Sequence, residues 1–180
     1  MSGIVGSKLN IRGSGRVAKL GTDGQVLTSA GAGVSAVYED AAGGGKLLQV
    51  VTATDSTERT TTSSSWVTGS NTLSAAITPS ATTSKIYASV CTSIKKSGGQ
   101  SMFTIQRTVS ASTTNLGDSG NGFYQHDAGN DNHNGHMSTL DSPSTTSACT
   151  YQVYMKGGGD TATLNYGPVE GSITVFEIGA

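Results

Sequence analysis

The chain has 180 residues and a net charge of −1, with 34% hydrophobic and only 13% charged residues. This length suits one domain with an appendage. Because the net charge is close to zero, the chain has no positive field to attract nucleic acid or an anionic membrane surface, and neither is an expected partner. Disordered chains combine low hydrophobicity with high net charge. The low apolar content here predicts instead that partner subunits cover part of the surface.

Residues 1–45 form a glycine-rich arm that ends at Gly43-Gly44-Gly45. The glycine density excludes a helix of useful length and leaves only brief strands at residues 17–20 and 25–28. Apolar side chains recur too often for a solvated tail, so we favour an anchor on another protein or on a neighbouring subunit over a free tail. The candidate anchoring residues are Ile4, Val5, Leu9, Ile11, Val17 and Leu20.

Residues 1–20 contain four basic side chains and no continuous apolar core, so they do not resemble a signal peptide. No apolar run approaches the length that spans a bilayer. We therefore expect a soluble protein that is made in the cytoplasm.

From Lys46 onwards, apolar residues alternate with polar ones between clusters of Ser, Thr, Gly, Asn and Asp, which is the period of strands. The predicted strands cover residues 47–52, 73–77, 85–94, 102–109, 150–155 and 172–178. The middle strands are predicted to have one face in water, and the last, apolar on both faces, to lie inside a sheet. Many short strands and no convincing helix predict an all-β jelly-roll sandwich over residues 46–180.

Cys91 and Cys149 are the only cysteines and lack the spacing of a zinc or redox motif. Each falls within a predicted strand. Two half-buried small side chains are the favoured interpretation, and a disulfide across strands stays open, because the sequence does not tell whether the two Cα atoms approach.

All three histidines lie between residues 126 and 136. We predict a solvated, turn-rich loop here, since glycines and asparagines exclude the helix that would put His133 and His136 on one face. Two alternatives stay open, a metal held between subunits and a loop that contacts a glycan or a partner. The weak metal candidates are His126, His133 and His136, and the candidate ligand loop comprises His126, Asp127, Asp131 and His133. No metal and no cofactor are assigned.

Catalytic motifs are lacking, which predicts that the protein is not an enzyme. There is no G-x-S-x-G elbow, and no histidine outside the 126–136 segment could act as a base. Asp141 precedes Ser142-Pro143 and is interpreted as a turn residue. Glu177 in the last predicted strand has no evident carboxylate partner.

Three stretches resemble proteins of a known kind: LGTDGQVLTSAGAG at 20–33, LDSPSTTSACTY at 140–151 and SITVFEIGA at 172–180. They resemble tailed-bacteriophage fibre proteins. The first is similar to the connector that precedes the C-terminal modules of such fibres, and the other two are similar to those modules. The fold of the modules resembles the trimeric jelly roll of complement globular heads and tumour-necrosis-factor-like proteins. With the intervening pattern, the resemblance covers roughly residues 20–180.

The resemblance implies a homotrimeric structural protein of a phage virion, whose arm docks on a major capsid or tail protein. A chain without a long shaft suits a capsid decoration or cement protein, a head fibre or a short tail appendage. The alternative is a receptor-binding fibre tip that recognises host-surface glycan. Trp66 and the tyrosines are expected in the core or between subunits rather than at a saccharide-stacking surface.

Overall fold

A computed structural model describes residues 25–28, 32, 36–40, 45–69, 73–126, 131–167 and 169–179. All regular secondary structure in these residues is β-strand. The chain divides into two compact units, Met1–Gly44 and Gly45–Ala180.

The first unit contains a short antiparallel hairpin. Strand β1 (Gln25–Thr28) pairs with β2 (Val37–Asp40), and Leu27 lies opposite Tyr38. The sequence predicted β1 but not its partner β2. Because the two strands pair, this part of the arm is a paired ribbon rather than an extended segment. The strand predicted at residues 17–20 lies outside the described residues. Because a two-stranded ribbon is marginally stable alone in water, this hairpin needs further packing to persist.

The described residues of the second unit form twelve strands. They are β3 (Leu47–Asp55), β4 (Arg59–Thr61), β5 (Val67–Thr68), β6 (Ser74–Ile77), β7 (Lys85–Ser97), β8 (Gln100–Val109), β9 (Ser112–Asn115), β10 (Tyr124–His126), β11 (Asn132–Asp141), β12 (Cys149–Gly158), β13 (Thr161–Leu164) and β14 (Gly171–Ile178).

Several short strands lie end to end along a longer neighbour, so twelve strands make eight ribbons. The pairs are β3 with β4, β5 with β6, β9 with β10, and β13 with β14. Sheet I has the ribbon order β3/β4, β14/β13, β7, β11, and sheet II the order β9/β10, β8, β12, β6/β5. Each sheet is thus four ribbons wide, and every ladder is antiparallel.

The order of the ribbons confirms the predicted jelly roll. Counted along the chain, the first ribbon pairs with the eighth, the second with the seventh, the third with the sixth and the fourth with the fifth. A long hairpin folded over into two facing sheets produces this nested pairing.

The core fills the space between the two sheets. Strand β12 alternates buried and half-buried positions, with Cys149, Tyr151, Val153 and Met155 all facing inwards. Fully or nearly fully buried apolar side chains from both sheets complete the cluster; among them are Leu73, Ala75, Ile77, Ile86, Ala88, Val90, Ile94, Phe103, Ile105, Leu164, Ile173 and Val175. Burial of this set is the main stabilising contribution to the fold.

Strand β14 lies inside sheet I, as predicted from its apolar faces. It is flanked by β3 on one side and by β7 on the other. Ile173, Val175 and Glu177 face the core, whereas Phe176 and Ile178 face outwards and stay partly exposed.

The prediction of one wet face is wrong for β8. Thr104 and Gln106 alternate with the core residues Phe103 and Ile105, yet they are also buried. The Thr104 hydroxyl donates a hydrogen bond of 2.6 Å to the Asn115 side chain at the end of β9. The same side chain bonds to Gly117 and Asp118 of the segment between β9 and β10, and Gly117 lies against Thr104 on this second face. Strand alternation alone does not reveal such a cover.

Candidate functional site

The outer face of sheet I has a row of apolar side chains that crosses all four ribbons. The register places Val50 opposite Phe176, Phe176 opposite Tyr87, and Tyr87 opposite Leu140. Val50 is 49% exposed and Leu140 59% exposed, while the two central aromatic rings are partly buried. The rings of Tyr87 and Phe176 are tilted against each other with 6.0 Å between centroids. We call these four side chains the apolar row.

Two more apolar side chains extend this surface at the start of β3 and the end of β14. Leu47 is 59% exposed, and Ile178, which pairs with it, is partly exposed. Beside them lies a shallow apolar depression, lined by Gly45, Leu47, Tyr87, Phe176 and Ile178. The apolar row and these two side chains together are called the apolar face.

Polar side chains border the apolar face. The next row of the same surface consists of Thr52, Thr174, Ser89 and Ser138. On the opposite border the Lys85 ammonium donates a hydrogen bond of 2.7 Å to the Ser142 hydroxyl. An apolar centre with a polar rim is the anatomy of a protein interface.

The sequence contained part of the signal for this face. It indicated that the last strand is apolar on both sides, which applies to Phe176 and Ile178. It did not bring together side chains from four strands, because their registers are set by pairing between distant segments.

A part-buried ion pair joins the two sheets. Arg107 of β8 donates hydrogen bonds of 2.8 and 2.7 Å to the two carboxylate oxygens of Asp141 in β11, and the Tyr151 hydroxyl of β12 donates one of 2.7 Å. Burial and the neighbouring Asp141 raise the pKa of Tyr151 above its ordinary range, so the phenol stays protonated and donates. Asp141 therefore ends a strand within a buried network, and its interpretation as a turn residue is wrong.

Glu177 is fully buried on the core side of β14. It accepts hydrogen bonds from the Gln49 side-chain amide and from both the backbone N–H and the hydroxyl of Ser80. Burial alone would raise the pKa of Glu177, but these hydrogen bonds outweigh it and lower the pKa to about 2. The carboxylate links β3, β14 and the residue after Pro79, which is a structural role.

The histidine segment is only partly a loop, because residues 132–136 belong to β11. His133 and His136 lie on opposite faces of that strand, since they are three positions apart and successive side chains alternate between faces. His133 lies 3.3 Å from the Asp131 carboxylate, and the His136 ring forms a hydrogen bond of 3.2 Å with Ser89. Among the residues that the structure describes, no three His, Cys, Asp or Glu side chains are placed to hold a metal ion.

The remaining predicted site residues fall beyond what the structure describes. They are Asp127, the side chain of His126 and the six candidate anchoring residues Ile4, Val5, Leu9, Ile11, Val17 and Leu20. The predicted ligand loop is thus represented in the described structure by Asp131 and His133.

Both cysteines are free thiols in different sheets. Cys149 is fully buried in β12, and burial raises the pKa of its thiol. Cys91 is exposed on β7, directly opposite His136. Neither is half-buried as expected, and the disulfide left open by the sequence is not formed.

A polar depression lies on sheet I near the start of β11. Its lining includes Ser93, Asn132, His133, Asn134 and Tyr166. The Lys95 ammonium lies 4.2 Å from the centroid of the Tyr166 ring. Side-chain amides beside an aromatic ring are groups that can hydrogen-bond and stack on a small polar ligand.

No protein-family description and no curated protein matches the chain. Two solved structures of infectious bursal disease virus match the chain at low similarity. The chain is 13% identical to one, a structure of the Gt strain, with a TM-score of 0.38, over 87% of this chain and 43% of that one. For the D431N mutant VP2 protein in T=1 particles, the identity is 12% and the TM-score 0.36, over 84% and 40% of the two chains.

The chain therefore spans less than half the length of either viral chain. Within the described residues, no helix has the length and apolar character needed to cross a bilayer.

Proposed function

We propose that this chain is a non-catalytic structural protein of a tailed-phage virion, which acts as a homotrimer. Residues 1 to about 45 dock on a capsid or tail protein, and the jelly roll forms the trimer and the outward surface. On the particle it serves as a capsid decoration or cement protein, as a head fibre or as a short tail appendage. The phage assignment derives from the sequence resemblance.

One observation carries the proposal, the exposed apolar face on a closed sandwich. Contiguous apolar patches of several hundred Å² on soluble proteins mark interaction sites. The face lies on regular strands whose core positions are fully packed, so it offers a rigid surface for assembly.

The buried charged groups support a structural role rather than catalysis. Arg107 and Asp141 neutralise each other across the sheets, and Glu177 is held by Gln49 and Ser80. These groups tie strands together, and none of them opens onto the apolar face or the polar depression.

Deletion of residues 1–20 tests the proposed docking. We expect the shortened chain to keep the same number of subunits in solution as the full chain and to lose binding to purified particles, measured by co-sedimentation. Replacement of Thr146 by Asp, an exposed change outside the arm, the apolar face and the polar depression, serves as the control and should bind normally. A deletion variant that still coats particles would contradict docking through the arm.

The second candidate function is glycan recognition at a fibre tip, and the polar depression favours it. Because residues 132–136 are part of a strand, replacing the whole segment would disrupt sheet I, and point variants are the better test. Asn132→Ala with Asn134→Ala should weaken binding on a panel of bacterial surface glycans at least tenfold. If the unmodified protein binds no glycan on the panel, this candidate function is wrong.

A further inference from the structure

We propose that Cys91 and His136 together bind one copper(I) ion on the outer face of sheet I. The two side chains belong to the neighbouring strands β7 and β11. They pair a thiol with an imidazole, and both groups are ligands that copper accepts in proteins. The site goes beyond the proposed virion role and does not depend on it. It also differs from the metal site considered from the sequence, whose candidates were histidines alone.

The strand register holds the two donors next to each other. Cys91 lies directly opposite His136 in an antiparallel ladder, so both side chains lie on the same face of the sheet. Directly opposite residues on such strands have Cβ atoms about 4.5–5.5 Å apart. Metal bonds to cysteine sulfur and histidine nitrogen are each about 2.0–2.3 Å long. One ion can therefore bridge the two side chains without a change in the backbone.

A hydrogen bond orients the His136 ring. Its Nε2 atom lies 3.2 Å from the hydroxyl oxygen of Ser89, the next residue on this face of β7. In the tautomer with the proton on Nε2, this N–H donates to the hydroxyl, and Nδ1 keeps the lone pair that a metal ion needs. A hydrogen bond from the other ring nitrogen is the usual way in which proteins orient a ligating histidine.

Both donors line one cavity at the surface. It has a volume of about 300 Å³, and its lining includes Cys91, His136, Asn134, Val169 and Glu170. Among the described residues that line it there is no lysine or arginine, whereas Glu170 contributes a carboxylate. A cation can therefore enter from solvent without meeting a positive charge in the lining.

The number of donors selects the ion. In the part of the chain that the structure describes, no three His, Cys, Asp or Glu side chains are grouped around a possible metal position. Zinc sites use three or four protein ligands. Copper(I) is satisfied by two donors, and a soft thiolate selects it. On binding, the Cys91 thiol loses its proton to the buffer and the sulfur and the imidazole each donate a lone pair, so one proton is released per ion and no electron is exchanged.

Competition with a coloured chelator tests the site. The purified full chain, reduced and kept free of oxygen, is added to copper(I) bound by bicinchoninate, and the loss of colour measures transfer to the protein. We expect one ion per chain. Loss of an outer partner of a metal ligand costs about 10–100-fold in affinity, so Cys91→Ser should weaken binding by about 100-fold or more and His136→Ala by about tenfold or more. Both residues are exposed, and circular dichroism should be unchanged in both variants.

Two matched variants separate this pair from the other thiol and from a neighbouring histidine. His133→Ala removes an exposed histidine from the opposite face of β11, and Cys149→Ala removes the buried thiol of β12. Both should bind copper(I) as tightly as the unmodified chain. X-ray absorption of the loaded protein should show one sulfur and one nitrogen donor at the metal.

Three results would overturn the proposal. The first is copper(I) that stays with the chelator. The second is equal affinity in His136→Ala and the unmodified chain, which would mean that the thiol binds alone. The third is an equal loss of affinity in His133→Ala. Zinc(II) in excess should leave the bound copper(I) in place, and its displacement by zinc would overturn the two-donor site.

Discussion

Asp141 shows how one side chain can hold two sheets together. It accepts hydrogen bonds from Arg107 and Tyr151, which lie in the facing sheet. Burial alone would lower the pKa of Arg107, but the hydrogen bond and charge of Asp141 outweigh it and raise the pKa. The guanidinium therefore stays charged and depends on this one carboxylate.

Replacing Asp141 by Asn should be far more costly than removing the tyrosine hydroxyl. Asp141→Asn leaves the largely buried Arg107 charge without a counterion and should reduce the free energy of unfolding by about 3 kcal/mol. Tyr151→Phe removes one hydrogen bond but keeps the ion pair, and should cost about 1 kcal/mol. Urea unfolding of both variants at one protein concentration measures the difference. Equal losses would show that the ion pair is not the main contribution.

Glu177 makes the fold sensitive to acid. Its pKa is about 2 in the folded protein against 4.5 for the free side chain, so its contribution to stability is fully present above pH 4.5. That contribution is lost as the pH falls towards 2, because the folded state binds the proton less readily than the unfolded state.

Glu177→Gln should remove this part of the pH dependence. Unfolding free energies from pH 6 to pH 2 should fall more steeply for the unmodified protein than for the variant. Glu170→Gln, at an exposed site, should follow the unmodified protein. Parallel curves for Glu177→Gln and the unmodified protein would exclude the assigned role.

Neither of these buried networks could be predicted from the sequence. Asp141 stands before Ser142-Pro143, a context typical of a turn, and the partners of Glu177 lie 97 and 128 residues away. Local patterns identify which residues alternate along a strand. They do not identify the polar groups that a distant segment brings to a buried carboxylate.

At the scale of elements, the segment between β9 and β10, which covers the second face of β8, depends on a tight turn at Gly122. Its φ is +71°, and its N–H and carbonyl both bond to the backbone of Asp118. A Cβ atom there would lie 2.4 Å from the carbonyl oxygen of Phe103. The close approach keeps the segment against β8, where the Phe123 N–H donates to Phe103.

Gly122→Ala should detach this segment, and Gly167→Ala is a matched control. Gly167 has a φ of +73°, but a Cβ atom there would meet no atom within 4 Å. Gly167→Ala should therefore cost about 1 kcal/mol from backbone strain alone, and Gly122→Ala about 3 kcal/mol because overpacking adds to the strain. Urea unfolding gives both losses, and hydrogen exchange at the Phe123 amide should accelerate only in Gly122→Ala. Similar losses would rule out a steric role for Gly122.

Strong alternation predicted the elements well, whereas weak edge strands were missed. The predicted strands at residues 73–77, 85–94, 102–109, 150–155 and 172–178 correspond to β6, β7, β8, β12 and β14. The strand β11 was predicted as a loop from residue 126 to 136, because its first half is rich in Asn, His and Gly. At an edge, pairing with β7 determines the conformation more than the propensity of these residues.

At the scale of the whole molecule, composition and strand count predicted the jelly roll but not the surface that it presents. The apolar face combines Val50, Phe176, Tyr87 and Leu140, which become neighbours only after four strands have taken their register. The sequence predicted that subunits would associate. Only the fold identifies the side of the sandwich on which that association is proposed.

The nested pairing of the ribbons also has a consequence for synthesis of the chain. Thr52 in β3 bonds to Thr174 in β14, 122 residues later, and β14 separates β3 from β7. Sheet I therefore cannot be assembled until the ribosome has released residue 178. At about 5–20 residues per second, the emerging β3 waits on the order of 10 seconds for its partner. During that wait its leucines are open to chaperones, and the translation rate of the downstream message sets how long the nascent chain needs such protection.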